Sequence, residues 1–270
     1  STPKPSSAAS DVYKRQDQPS IYFDGSGDYL SQNIQALDDA DLMKIGTQDF
    51  TVEGYIYTLS ITADTEYRRI FAYGNNGTDA IQVYVHPTGG KLVYTADDNT
   101  IKISGTSNVS DAWKHFVAQR IGGQVRLYVN GTEEGTAVTD ANSKTQAAGS
   151  FIIGKYPGGS GHFHGYLENL RVLRGKTVYP YYAEPVTLTT SNSGMTKPDG
   201  STPTATASNT KLLACHHSTK TTEGSATGHT ITSAGSTASG AILPAYGMSS
   251  VYFPNGDSDY LTVPASAEHQ

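Results

Sequence analysis

The chain has 270 residues, of which 36% are hydrophobic and 16% charged, with 28 Gly and 18 Tyr. Such a composition suits many short strands joined by tight turns and suits helices poorly. A net charge of −6, with no basic cluster interleaved with aromatics, argues against nucleic-acid binding; the single Cys215 excludes an internal disulfide, and no apolar run approaches the roughly 20 residues that span a bilayer.

Residues 1–19 are Ser/Pro/Ala-rich and then polar, with nothing to bury and no n-region and h-region of a signal peptide, and read as a flexible or artefactual leader. The first structured phrase is Ile21-Tyr22-Phe23-Asp24-Gly25-Ser26-Gly27-Asp28-Tyr29-Leu30, a strand, a tight corner and a second strand. Gly25 and Gly27 take positive φ without steric cost, and Asp24 and Asp28 can accept hydrogen bonds from nearby backbone amides.

Residues 50–59 follow, with Phe50, Val52, Gly54, Ile56 and Thr58 on one face and Glu53, Tyr55, Tyr57 and Leu59 on the other. Bulky groups on both faces predict a central strand. Strands are expected at 68–74, 81–85, 91–96 and 101–104, separated by Asn-Asn-Gly, Pro-Thr-Gly-Gly and Asp-Asp-Asn turns. Residues 113–120 and 124–129 come next, and Asn130-Gly131 supplies the positive φ pair of a type I′ hairpin. Residues 151–154 and 162–174 close the set. The pattern is all-β, a two-sheet antiparallel sandwich.

Residues 187–209 are rich in Ser, Thr, Gly and Pro and read as a linker. Strand signals resume at 211–215 and 229–233, before Val251-Tyr252-Phe253-Pro254-Asn255-Gly256-Asp257-Ser258-Asp259-Tyr260-Leu261 repeats the opening corner.

The ordered phrases Asp24-Gly25-Ser26-Gly27-Asp28-Tyr29-Leu30, Gln48-Asp49-Phe50-Thr51-Val52-Glu53, Trp113-Lys114-His115-Phe116-Val117-Ala118, Leu127-Tyr128-Val129-Asn130-Gly131 and Gly165-Tyr166-Leu167-Glu168-Asn169-Leu170-Arg171-Val172 resemble laminin G-like, concanavalin A-like lectin/glucanase domains. Those of bacteriophage structural proteins are the most similar in phrasing. The resemblance covers residues 20–186 and implies a jelly-roll of two curved sheets. It also implies that a Leu-Leu strand and a Thr-Ile-Thr strand precede the corner, whereas here they stand at 212–215 and 229–233, before its second copy. Residues 210–270 therefore read either as the start of a second repeat or as strands that complete the edge of the first sandwich.

Four chemistries have candidate residues here. Glycoside hydrolysis needs paired carboxylates about 5–10 Å apart, and the Glu-x-Asp-x-x-Glu pattern of related glucanases is absent, so a non-enzyme is expected. Calcium takes hard oxygen ligands on adjacent loops, which Asp24, Asp28, Asp97, Asp98 and Asn99 could supply; Asp24 and Asp28 are the preferred metal pair, with Glu168 a further partner. His162/His164 and Cys215-His216-His217 with His229 lack the spacing of zinc motifs. Sugar sites pair aromatic faces with Asn, Asp and Gly groups on loops, and Tyr73, Asn75, Asn76, Asp97, Asp98, Asn99 and Tyr156 are the candidate ligand-binding residues.

The expected function is a non-catalytic structural and adhesion module of a phage virion appendage or extracellular assembly. Its partners would be a glycan or host-surface polysaccharide, and further copies of itself or neighbouring virion proteins. The alternative is a purely structural subunit that polymerises by donating strands from 210–270. A polysaccharide-degrading enzyme is a third reading, against which the missing acid pattern stands.

Overall fold

The computed structural model describes residues 19–33, 45–59, 65–74, 80–144, 150–178, 188, 190, 206–225 and 230–240, all within the unit Gln18–Ala241. The strands are β1 (Ser20–Asp24), β2 (Tyr29–Asn33), β3 (Phe50–Thr58), β4 (Arg68–Tyr73), β5 (Ile81–Val85), β6 (Lys91–Ala96), β7 (Ile101–Asn108) and β8 (Trp113–Ile121). They continue with β9 (Gln124–Val129), β10 (Thr132–Thr139), β11 (Ser150–Ile153), β12 (His164–Arg174), β13 (Thr210–Ala214), β14 (Thr232–Ala234) and β15 (Ala238–Gly240). Among the described residues the helical structure is a single 3₁₀ turn, Ala207–Asn209, and no helix is long and apolar enough to cross a membrane.

Every strand pair is antiparallel, and the strands form two sheets. One has the order β10-β9-β8-β3-β12-β1-β15 with β13 also on β12; the other runs β14-β2-β11-β4-β5-β6-β7. Period-2 alternation sends one face of each strand inward. Phe50, Val52 and Ile56 of β3, Ile81, Val83 and Val85 of β5, and Leu92 and Tyr94 of β6 meet in one core. β3 is central, between β8 and β12, as its two bulky faces predict. At the predicted hairpin Asn130 and Gly131 take φ of 46° and 81°, whose twist matches β9 and β10.

β12 shows how the first sheet is completed. β3 lies along one edge, from Gly165 to Arg174. The other edge is shared: β1 covers His164–Leu167 and β13 covers Leu170–Leu173. Between them β12 bulges at Asn169, with φ of 51°, and Asn169 N donates to Cys215 O at 2.9 Å. β14 pairs with β2 and β15 with β1, so residues 210–240 supply edge strands to both sheets. Leu212, Ala214, Cys215 and Ile231 enter the same core as β1 and β3, and burying a Leu or Ile side chain stabilises by about 1.5–3 kcal/mol. Edge amides that would otherwise stand open are thereby paired.

The Asp24–Asp28 corner anchors this addition. Asp28 accepts hydrogen bonds from Asp24 N at 2.9 Å and from Ser236 N at 2.5 Å. Asp24 accepts from Ser26 N at 2.7 Å and from Ser236 Oγ at 3.1 Å. Gly235 has φ of 73°, and a Cβ there would lie 2.2 Å from Asp28 Oδ1, so only glycine lets the β14–β15 turn approach this closely.

Candidate functional site

The two outward sheet faces differ in kind. On the first sheet, Glu53 (β3), His115 (β8) and Arg171 (β12) point away from the core yet are 0–2% exposed. Arg171 Nε donates to Glu53 Oε1 at 2.8 Å, its Nη2 donates to the same oxygen, and His115 Nε2 lies 3.5 Å from Glu53 Oε2. Burial pushes the Glu53 carboxyl up, but the Arg171 charge and His115 outweigh it and hold it below the ordinary range. The chain after β12 covers this face: Thr51 Oγ1 donates to Lys176 O at 3.0 Å, and buried Val178 donates its N–H to Gln119 Oε1 at 3.0 Å.

On the second sheet the outward face carries an arginine among tyrosines. Arg69 (β4) and Tyr84 (β5) are cross-strand partners, and a bulge between Arg69 and Phe71 lets Ile70 and Phe71 both bury while Arg69 stays outside. Arg69 N donates to Gly161 O at 3.1 Å, which holds the loop after β11 against β4 and brings Tyr156 over the guanidinium. Arg69 Cζ lies 4.1 Å from the Tyr84 ring centroid, 5.1 Å from Tyr156 and 5.5 Å from Tyr67. Tyr67 meets Tyr84 and His86 edge-on, with centroids 5.5 and 5.1 Å apart.

Arg69 Nε donates to Gln82 Oε1 at 2.8 Å, while its buried Nη1 has no acceptor among the described residues. Burial lowers the guanidinium pKa, opposed by the neighbouring tyrosines, and burial raises that of Tyr84 against the Arg69 charge. Tyr67 is 45% exposed, the one exposed large hydrophobic side chain among the described residues.

Gln82 also lines a shallow, open hollow with Thr95, Asp97, Asp98 and Asn99. It is far too small to enclose a sugar, so any ligand here lies on a surface.

The residues expected to bind sugar are only partly brought together. Tyr73 is 0% exposed and its hydroxyl donates to Lys144 O at 3.5 Å. It is a core residue, corrected from a surface aromatic, because β4 turns its odd-numbered end inward after the bulge. Asp97 is likewise corrected: its Oδ1 pairs with Lys144 Nζ at 2.5 Å and its Oδ2 accepts from Asn142 Nδ2. Lys144 also pairs with Asp140 at 2.9 Å, so Asp97 belongs to a buried network that closes one end of the sandwich. Asp98 and Asn99 stand exposed on the 97–100 turn at φ of 56° and 66°. Asn75 and Asn76 lie outside the described residues. Tyr156 sits in the arginine cluster.

Tyr67, Arg69, Tyr84 and His86 were not singled out from the sequence. The signal was faint: Arg68-Arg69 is a charged doublet opening a strand, and Tyr84 occupies the outward position between Val83 and Val85.

The proposed metal pair does not fit calcium as it stands. Calcium takes six to eight oxygens, whereas Asp24 and Asp28 already accept the N–H bonds of their own corner, and no group of three acidic, His or Cys side chains occurs among the described residues. Burial, partly offset by the backbone bond from Asp24, raises the Asp28 carboxyl, and the Asp24 charge adds to that rise. The pair is a turn clamp. His164 instead lies edge-on to Tyr22, and burial pushes the Cys215 thiol well up, which leaves it unreactive.

A family model described as the concanavalin A-like lectin/glucanases superfamily, of laminin G type, matches residues 24–176, more than half of the chain. The chain belongs to this family. The match ends before β13, so the strands at 210–240 that complete both sheets lie beyond it. No curated protein matches the chain. Among solved structures, a Bacteroides ovatus protein described as a candidate carbohydrate binding protein is 14% identical, with TM-score 0.54 over 83% of this chain and 60% of that one. Domains LG4-5 of the mouse laminin alpha1 chain are 18% identical, with TM-score 0.43 over 57% of this chain and 40% of that one. A CBM40 module of a Ruminococcus gnavus sialidase, bound to alpha2,3 sialyllactose, is 11% identical, with TM-score 0.45 over 60% of this chain and 93% of that one. The chain thus spans less than two thirds of the laminin and Bacteroides structures, and at these identities the likeness is one of concanavalin A-like fold.

Proposed function

We propose that this laminin G-type chain is a non-catalytic carbohydrate-binding module whose sugar contact is the outward face around Tyr67, Tyr156 and Arg69. One observation carries the reading: an exposed tyrosine stands over a partly buried guanidinium on a rigid sheet. Tyrosine rings offer apolar faces to the C–H side of a pyranose, and the guanidinium and Gln82 offer polar partners to its oxygens. Asp98 and Asn99 extend the surface along the same sheet through Gln82. The description of the Bacteroides relative as a candidate carbohydrate binding protein supports the same reading. An adhesion role in a virion appendage or other extracellular assembly is supported by the phrases that resemble phage structural proteins. A glycan array probed with the intact protein tests this. Retention of defined glycans, reduced by about tenfold or more in Tyr67→Ala, is expected; no retention of any glycan would sink it.

A second reading has its own observation. Residues 210–240 fill edges of β12, β2 and β1 and precede a second copy of the corner, so the same segment supplied by a neighbour would fill the same edges. Concentration-dependent oligomers by light scattering, without glycan binding, would favour this structural role.

A further inference from the structure

We infer that Arg69 anchors an acidic sugar, one bearing a carboxylate or a sulfate ester, at the tyrosine-lined face; the inference rests on the glycan-binding role proposed above. It begins from how this chain treats its other arginines. Arg171 is matched by Glu53, and Arg126 by Glu133 at 2.6 Å. Arg120 donates to the carbonyls of Gly46, Gln48 and Asn142 at 2.6–3.1 Å and lies 3.8 Å from Asp140. Among the described residues Arg69, unlike the other three, has no carboxylate and no backbone carbonyl on its guanidinium: its neighbours are three tyrosine rings and the Gln82 amide oxygen.

A guanidinium presents five N–H donors in a planar fork that matches a carboxylate or sulfate edge. Here one donor is used by Gln82 and the buried Nη1 has no acceptor among the described residues. The rings hold the cation in place by its faces, and its buried edge would reach a ligand once a covering ring moves aside. Ligand charge is the missing counterpart. Asp97 of the adjoining hollow is already paired with Lys144. Of the three rings over Arg69, Tyr84 is 3% exposed and Tyr156 half-buried, whereas Tyr67 is 45% exposed and in this proposal turns aside to admit an anionic group.

The test titrates the intact protein with a galacturonate tetrasaccharide, its methyl ester and a sulfated galactan tetrasaccharide, beside an array of neutral and acidic glycans. Binding restricted to acidic glycans is expected, with the carboxylate and sulfate arms separating the two sources of charge. Arg69→Met should weaken it by about tenfold or more, and Arg69→Lys should recover only part, because an ammonium lacks the planar fork. Affinity of the unaltered protein should also fall as salt rises from 50 to 500 mM, a readout that needs no variant. Equal binding of charged and neutral glycans, or unchanged binding in Arg69→Met, overturns the anchor and leaves the glycan-binding role standing. Retention of no glycan at all overturns both.

Discussion

Arg171 and Arg69 stand on outward faces of the two sheets, and their surroundings are opposite. Arg171 is 1% exposed, forked onto Glu53 and covered by the chain that leaves β12. Arg69 is partly exposed, ringed by tyrosines, and retains a donor without an acceptor among the described residues. Burying a charge without a partner is expensive, so a face that stays covered must match its charges internally, as the first sheet does. A face that leaves one donor unmatched gives up some stability. That contrast separates the structural face of this sandwich from the face proposed to bind a ligand.

Substitution breaks the comparison most directly. Arg171→Met leaves Glu53 buried without its cation and should destabilise by about 3–5 kcal/mol, read as a lower denaturant midpoint. A change below about 1 kcal/mol would mean the pair is not the anchor of that face.

Acid gives the next largest effect. The Glu53 carboxyl is held below its ordinary value, as is that of Glu134, where burial raises it but hydrogen bonds from Ser107 and Thr106 win. A depressed folded pKa contributes stability above the unfolded value, about 4.5, that is lost as pH falls through the folded one. Melting temperature should therefore hold at neutral pH and drop progressively below about pH 4.5. In Glu53→Gln that drop should shrink, with the Glu134 share remaining; an unchanged acid limb would remove Glu53 from the account.

Arg69→Met should move stability by within about 1 kcal/mol, because it strands no carboxylate and exchanges cation–π contacts for one fewer unmatched donor. A loss as large as that of Arg171→Met would make Arg69 structural. The smallest effect belongs to Tyr67→Ala, within about 0.5 kcal/mol for a surface position, so a loss of glycan binding in that variant reports on the site and not on folding.

Much of the fold was legible because strands and turns are written in adjacent residues. β5, β6 and β9 fall on the expected bounds 81–85, 91–96 and 124–129 since alternation and turn chemistry are local signals. β10 is hard to read as a strand although the hairpin before it is clear, for residues 132–139 carry Glu, Gly and Thr with little apolar alternation. β15, three residues long, is defined by its pairing with β1 and has no pattern of its own. The candidate site was less legible. Tyr156 was reached through its Pro-Gly-Gly turn, but Tyr73 and Tyr84 are both tyrosines of β-strands, and only the bulge at 69–71 and the pairing of β4 with β5 turn one inward and the other out.

The amino-acid sequence by itself determined the all-β class, the strand rhythm, the hairpin at Asn130-Gly131 and the family, through short-range patterns in fixed order. Tertiary structure alone decided three things: that β13 takes the second half of the β12 edge, that Ser236 closes the Asp24–Asp28 corner, and that Arg69 meets Tyr67, Tyr84 and Tyr156. Each depends on which edge amides and buried charges find partners far away along the chain. That matching is a property of the assembled sheets, and no local pattern encodes it.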